Sequence, residues 1–129
     1  MGGFNVTALD ERLKVLIEGG VVIPKAADIA KNAVKRLKDI YGFLPEDRVS
    51  VFVTHLATAL TRLERKETVG APPPELLKEV EATPFIKEAL LEIDWIEHEW
   101  GTELPVEEKQ FLSIHYVSLI QGAKGGEPS

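Results

Sequence analysis

The sequence of 129 residues contains no cysteine. Disulfides, thiolate nucleophiles and thiolate metal sites are thereby excluded, and the absence suits a reducing, cytoplasmic compartment. No basic segment followed by an apolar run opens the chain, so no secretory signal is expected. No apolar stretch approaches the roughly 20 residues needed to span a bilayer, and no membrane partner is expected. Positive charge is in short supply, with 15 Lys and Arg against 21 Asp and Glu and a net charge of −6. Lys and Arg supply most of the grip on a phosphate backbone, so direct nucleic-acid binding is not expected either. Signatures of several chemistries are missing. There is no G-x-S-x-G elbow and no Walker-type glycine loop, and the pairs Gly19-Gly20 and Gly125-Gly126 lack the context of one. His98-Glu99 would need a second histidine at the position of Thr102 to form H-E-x-x-H. The three histidines lie on separate segments without ligand spacing, so no metal, no cofactor and no enzymatic activity are expected.

What is present is helical punctuation. Apolar residues form 44% and charged residues 28% of the chain, proportions that belong to a folded domain. Thr7 and Asp10 make a capping-box start ahead of Leu9, Leu13, Leu16 and Ile17, and Gly19-Gly20 ends that segment. Pro24 opens a second helix carrying Ile29, Ala33, Val34, Leu37, Ile40 and Tyr41 on one side, with Gly42 as its stop. Pro45 begins a third, with Glu46 and Asp47 in the dipole-favoured first turn and Val49, Phe52, Val53, Leu56, Leu60 and Leu63 as its stripe. The stretch Thr68–Pro74 reads as a proline-stiffened loop. A short helix through Leu76, Leu77 and Val80 follows, interrupted at Thr83-Pro84. Another carries Ile86, Ala89, Leu90, Ile93 and Ile96 to Trp100 and Gly101; the last opens at Pro105 with Phe111, Leu112, His115 and Leu119 on one face. The expected fold is all-α, a bundle of about five helices. It comprises an N-terminal extension over 1–7, one domain over 8–121 and a flexible tail over 122–129.

Two segments carry a resemblance. His55-Leu56-Ala57-Thr58-Ala59-Leu60-Thr61-Arg62 resembles the first motif of the PTS regulation domain (PRD), a histidine followed seven positions later by arginine. Leu104-Pro105-Val106-Glu107-Glu108, running on to His115, is similar to the second, an L-P-x-x-E start with a histidine seven residues after the glutamate. The resemblance extends from about Leu9 to Gln121. Thr54 departs from the aspartate that often precedes the first histidine, and Lys109 stands where an apolar residue is usual. Such domains commonly sit in tandem beside RNA- or DNA-binding domains in bacterial antiterminators and activators. The segment before Leu9 is too short for one, so a stand-alone member or a piece of a longer regulator is expected.

The resemblance implies histidine phosphorylation, at His55 and His115, by a phosphocarrier protein or a sugar transporter IIB subunit. It implies a cytoplasmic regulatory role reporting carbohydrate supply, and a homodimer. A phosphoryl acceptor needs a neutral imidazole, and imidazole has an unperturbed pKa of about 6.5. Arg48, His55 and Arg62 recur at seven-residue steps, about two helical turns, and so fall along one side of a helix. Arg62 leans back toward His55 as a phosphate partner, with Arg48 as a second candidate. Glu108 shares the face of His115 and is the candidate to fix its tautomer, through a bridging water or another helix. His98 is expected to be solvated. Trp95 and Trp100 are expected to pack, with an apolar patch around them for a second copy. Two rival functions are a dimerisation module that is never phosphorylated, favoured by Thr54, and a small-anion sensor built from His55, Arg62 and His115.

Overall fold

The computed structural model describes residues 6–125, and side chains from Ala8 to Lys124. Its elements are α1 (Val6–Glu18), α2 (Pro24–Tyr41), α3 (Glu46–Glu64), α4 (Pro74–Glu81), α5 (Ile86–Trp100) and α6 (Val106–Gly125), with no strand among the described residues. The all-α expectation holds, with six helices among the described residues because the short α4 is a separate element. Two boundaries differ from the sequence reading. Val6 and Thr7 belong to α1 rather than to an extension. At the other end α6 runs to Gly125, four residues into the expected tail, and Gly122 and Ala123 are buried; residues 126–129 lie outside the described set.

The helices start and stop where the local chemistry directs. Pro24 sits in the first turn of α2, where its missing N–H costs no hydrogen bond. Gly101 ends α5 with a left-handed φ of 104° while its N–H donates to the Glu97 carbonyl at 2.9 Å, a conformation that penalises any residue with a Cβ. The turn that follows is tied by Glu97, whose carboxylate accepts the Leu104 N–H at 2.7 Å and pairs with Lys109 at 3.2 Å. Lys109 also reaches Glu103 at 2.9 Å. Its charge, out of place by the sequence pattern, therefore holds the α5–α6 corner.

α3 lies at the centre. It packs on α2 and α6, while α5 packs on α6 and α2; α4 lies against α6 and α1 against α2. Phe52 of α3 and Tyr116 of α6 meet edge to face at 4.7 Å, both fully buried, among Leu37, Leu56, Leu60, Ile96, Leu112 and Ile120. The buried Thr61 hydroxyl donates to the Ala57 carbonyl at 2.8 Å and accepts the Ile23 N–H at 3.1 Å, fastening the start of α2 to the end of α3. Ile40, Leu76 and Leu90, assigned to apolar faces by periodicity, are instead exposed, at 55%, 41% and 49%. A 3.6-residue repeat locates a stripe but not its width.

α3 and α6 run antiparallel in a seven-residue register. Arg48 faces Gly122, His55 faces His115, and Arg62 faces Glu108. At the first step a Cβ at Gly122 would lie 2.9 Å from Arg48 and 3.0 Å from Pro45. Glycine there lets α6 lie against the beginning of α3.

Candidate functional site

The second step of that register brings the two motif histidines together. Their rings stack with centroids 4.3 Å apart and planes 17° from parallel. His55 is exposed and His115 is half-buried. Burial, and then the neighbouring His55, lower the His115 pKa to about 4, so this ring is neutral at physiological pH. A neutral imidazole has one nitrogen lone pair free to act as acceptor or nucleophile.

The third step places charge beside them. Arg62 Nη2 lies 3.6 Å from Glu108 Oε2, just beyond hydrogen-bond length. Glu108 is only 2% exposed, and both its carboxylate oxygens, like Arg62 Nε, are buried without a hydrogen-bond partner among the described residues. Burial therefore pushes the Glu108 pKa up, against the opposing pull of the Arg62 charge. Glu108, expected to orient His115, is paired across the helix interface with Arg62.

Around these four side chains opens a cleft of about 550 Å³. Its walls are largely apolar: Phe111, Leu112 and Ile114 from α6, Ala59 from α3, Leu76 from α4, and Val69 with Gly70 from the proline-stiffened loop. That loop's part in the site had no signal in the sequence beyond its stiffness. Arg48 takes a different position from Arg62. Its guanidinium donates to the Ser118 carbonyl at 2.6 Å and borders a separate hollow of about 200 Å³ on the far side of His115. His115 thus lies between two arginines, and only Arg62 shares the cleft with His55.

The remaining candidates lie elsewhere. Thr54 Oγ1 accepts a hydrogen bond from Arg12 Nε at 3.0 Å. His98 is exposed on α5. Trp95 and Trp100 are half-buried, and cations cover them: Arg36 lies 5.0 Å above Trp95 and Lys25 4.5 Å above Trp100. No group of three or more His, Asp or Glu that could hold a metal ion occurs among the described residues, and no described helix is long and apolar enough to cross a membrane.

Comparison with known proteins adds the family. No curated protein and no solved structure matches the chain. The model of the PRD domain family matches residues 43–119, more than half the chain, from the turn before α3 to the last turns of α6. The match is narrower than the Leu9–Gln121 span of the sequence resemblance, leaving out α1 and α2, yet it contains both histidines, Arg62 and Glu108. PRD domains are regulatory rather than catalytic. The chain belongs to the PRD domain family, and is in general terms a regulatory module of the phosphotransferase system.

Proposed function

We propose that the chain is a phosphoryl acceptor that senses carbohydrate supply through phosphorylation of His55, with His115 as a second acceptor, and passes that state to transcription or a partner protein. The observation that carries this reading is an exposed imidazole stacked on a neutral, half-buried one, beside an arginine in the same cleft. The donor is a phosphohistidine of the phosphocarrier protein or a phosphorylated sugar transporter IIB subunit, which places the protein in the cytoplasm. A ring nitrogen of His55 forms the new N–P bond as the donor's bond to phosphorus breaks and its electron pair returns to the donor. With a histidine donor, one ring proton is lost by His55 and one is gained by the donor, so the exchange is neutral in protons. An acceptor domain has little to supply beyond position and charge. The axial gap between His55 and Arg62 is about 10.5 Å by helix rise, and an arginine side chain covers most of it.

Phosphohistidine adds up to about two negative charges near neutral pH to a domain already at −6. Paired by Arg62, the group is held; unpaired, it repels its surroundings and alters packing between helices or between copies. The reading includes a homodimer. Exposed Leu90, Leu91 and Val106 offer it an apolar surface, rather than the cation-covered tryptophans. Light scattering over a concentration series tests that part, and a monomer at high micromolar concentration rejects it.

The acceptor reading is tested by incubating the protein with phosphoenolpyruvate, enzyme I and the histidine carrier protein, with and without a IIB subunit. The label is expected to be acid-labile and base-stable. His55→Ala removes most of it, His115→Ala removes part or none, and Arg62→Ala weakens it without loss of helicity. Absence of label from every donor, or label surviving loss of both His55 and His115, refutes the reading and leaves the dimerisation module in its place.

A further inference from the structure

One guanidinium stands between two anions. Among the described residues Arg62 is the only arginine or lysine bordering the cleft that holds His55, His115 and Glu108. In the unphosphorylated chain it faces a carboxylate that is 2% exposed and that has no hydrogen-bond partner among the described residues. A buried carboxylate loses most of its reason to stay charged once its cation leaves. Resting on the acceptor reading above, we propose that phosphorylation of the histidine pair is coupled to protonation of Glu108, because Arg62 can serve the phosphoryl group or the carboxylate but not both.

The surroundings of Glu108 favour this exchange. α3 presents Arg62 and His55 to the cleft; α6 itself contributes His115, with Glu107 adjacent in sequence; α4 and the loop before it present only Leu76, Val69 and Gly70. No residue of α5 borders the cleft. Glu107 adds repulsion, and Lys109, next in sequence, is engaged by Glu97 and Glu103, so among the described residues no second cation borders the cleft to keep Glu108 charged when Arg62 turns to phosphate. The 3.6 Å gap and the unpartnered Arg62 Nε describe a guanidinium that is not locked in a two-pronged grip and gives up little by moving. The proton that Glu108 takes up comes from solvent, while the ring-to-ring transfer stays proton-neutral.

The sign follows from linkage. Glu108 has a lower pKa while Arg62 faces it and a higher one after Arg62 leaves, so between those two values phosphorylation takes up one proton. The equilibrium constant for phosphoryl transfer then falls as pH rises, by up to about tenfold per pH unit for one proton. Glu108→Gln removes both the proton and the competition for Arg62. Glu108 is therefore a positioning residue, acting through Arg62 rather than on phosphorus.

The test equilibrates wild-type chain and E108Q with the same phosphorylated carrier protein from pH 6 to 8.5, and reads the phosphorylated fraction by intact mass. Potassium phosphoramidate serves as a second, protein-free donor. The ratio of wild-type to E108Q transfer constants is expected to fall with pH, with E108Q several-fold more phosphorylated at pH 8. In parallel, the Glu108 carboxyl carbon followed by NMR in the wild type is expected to move to its protonated position at pH 7 on phosphorylation. Equal, parallel pH profiles with an unshifted carboxyl signal overturn the coupling while leaving the acceptor reading intact. Failure of both donors to label either protein removes the acceptor reading itself, and the coupling with it.

Discussion

Among the described residues two Arg–Glu pairs cross this bundle, and they differ in how well the carboxylate is satisfied. On the α2–α5 side Arg36 grips Glu92 with both prongs, Nε to Oε1 at 2.9 Å and Nη2 to Oε2 at 3.0 Å, and the same guanidinium lies over Trp95. Hydrogen bonding to Glu92, more than burial opposes it, raises the Arg36 pKa. On the α3–α6 side Arg62 stands 3.6 Å from Glu108, and both carboxylate oxygens lack a hydrogen-bond partner among the described residues. The carboxylates are equally hidden, at 7% and 2% exposure of the side chain. Burial therefore does not separate the two pairs; satisfaction does, and on the proposed reading that is what leaves Arg62 free to act. A closed bidentate pair fastens helices, whereas an open pair beside two histidines keeps a cation available for another anion.

The sharpest way to break this contrast is to remove each arginine. Arg36→Ala abandons two hydrogen bonds to a buried carboxylate and is expected to lower unfolding stability by about 2–3 kcal/mol, less than for a wholly buried pair because the Arg36 side chain is 40% exposed. Arg62→Ala is expected to lose less than half as much, since Glu108 already has a raised pKa and can take up a proton. Urea unfolding of the two variants at pH 7 compares them directly. Equal losses would erase the distinction.

Acid sharpens the comparison from the histidine side. The folded-state pKa of His115, about 4, lies below the usual 6.5, so its contribution is fully present above pH 6.5 and lost as pH falls through 4. His115→Gln is expected to remove about 1–2 kcal/mol of the destabilisation seen at pH 5. A proton NMR titration should find the His115 ring neutral at pH 6, and a ring titrating near 6.5 would contradict its burial.

Glu108 acts with the opposite pH sense. Its folded-state pKa is raised above 4.5, so its stability contribution is full below 4.5 and lost as pH rises through the raised value. E108Q should accordingly be more stable than wild type at pH 8, by about 1 kcal/mol, with the gain fading toward pH 4.5. Thermal melts across that range check it, and a pH-independent difference would show that the carboxylate is not strained. The smallest effect is expected away from both pairs. Tyr41 donates to Glu88, which also accepts from Lys124, so Tyr41→Phe leaves the carboxylate with one partner and costs about 0.5–1 kcal/mol.

Much of this was legible in the chain. The spacing of Arg48, His55 and Arg62 placed three side chains on one side of α3, and all three do face α6. Proline and glycine punctuation set the helix order because those residues act locally. The partner of Glu108 was not legible in one helix alone. Along α6, His115 is seven residues from Glu108, about 10.5 Å by rise, which suggested an orienting role through a bridge. The antiparallel register instead sets Glu108 opposite Arg62. The equal seven-residue spacings of His55–Arg62 and Glu108–His115, read in opposite directions, carried that pairing, but only for helices already known to run antiparallel. Thr61 had no such signal, because its partner, the Ile23 N–H, belongs to the backbone of another helix.

The most direct measurement is to map the phosphoryl group after incubation with phosphoenolpyruvate, enzyme I and the histidine carrier protein. Digestion and tandem mass spectrometry are carried out at neutral to basic pH, where phosphohistidine survives. The expected result is a phosphoryl group on His55, in the peptide spanning α3, with a lesser amount on His115. A protein that stays unmodified with every donor, or that carries its phosphoryl group on the solvated His98, would contradict the acceptor role assigned to the stacked pair.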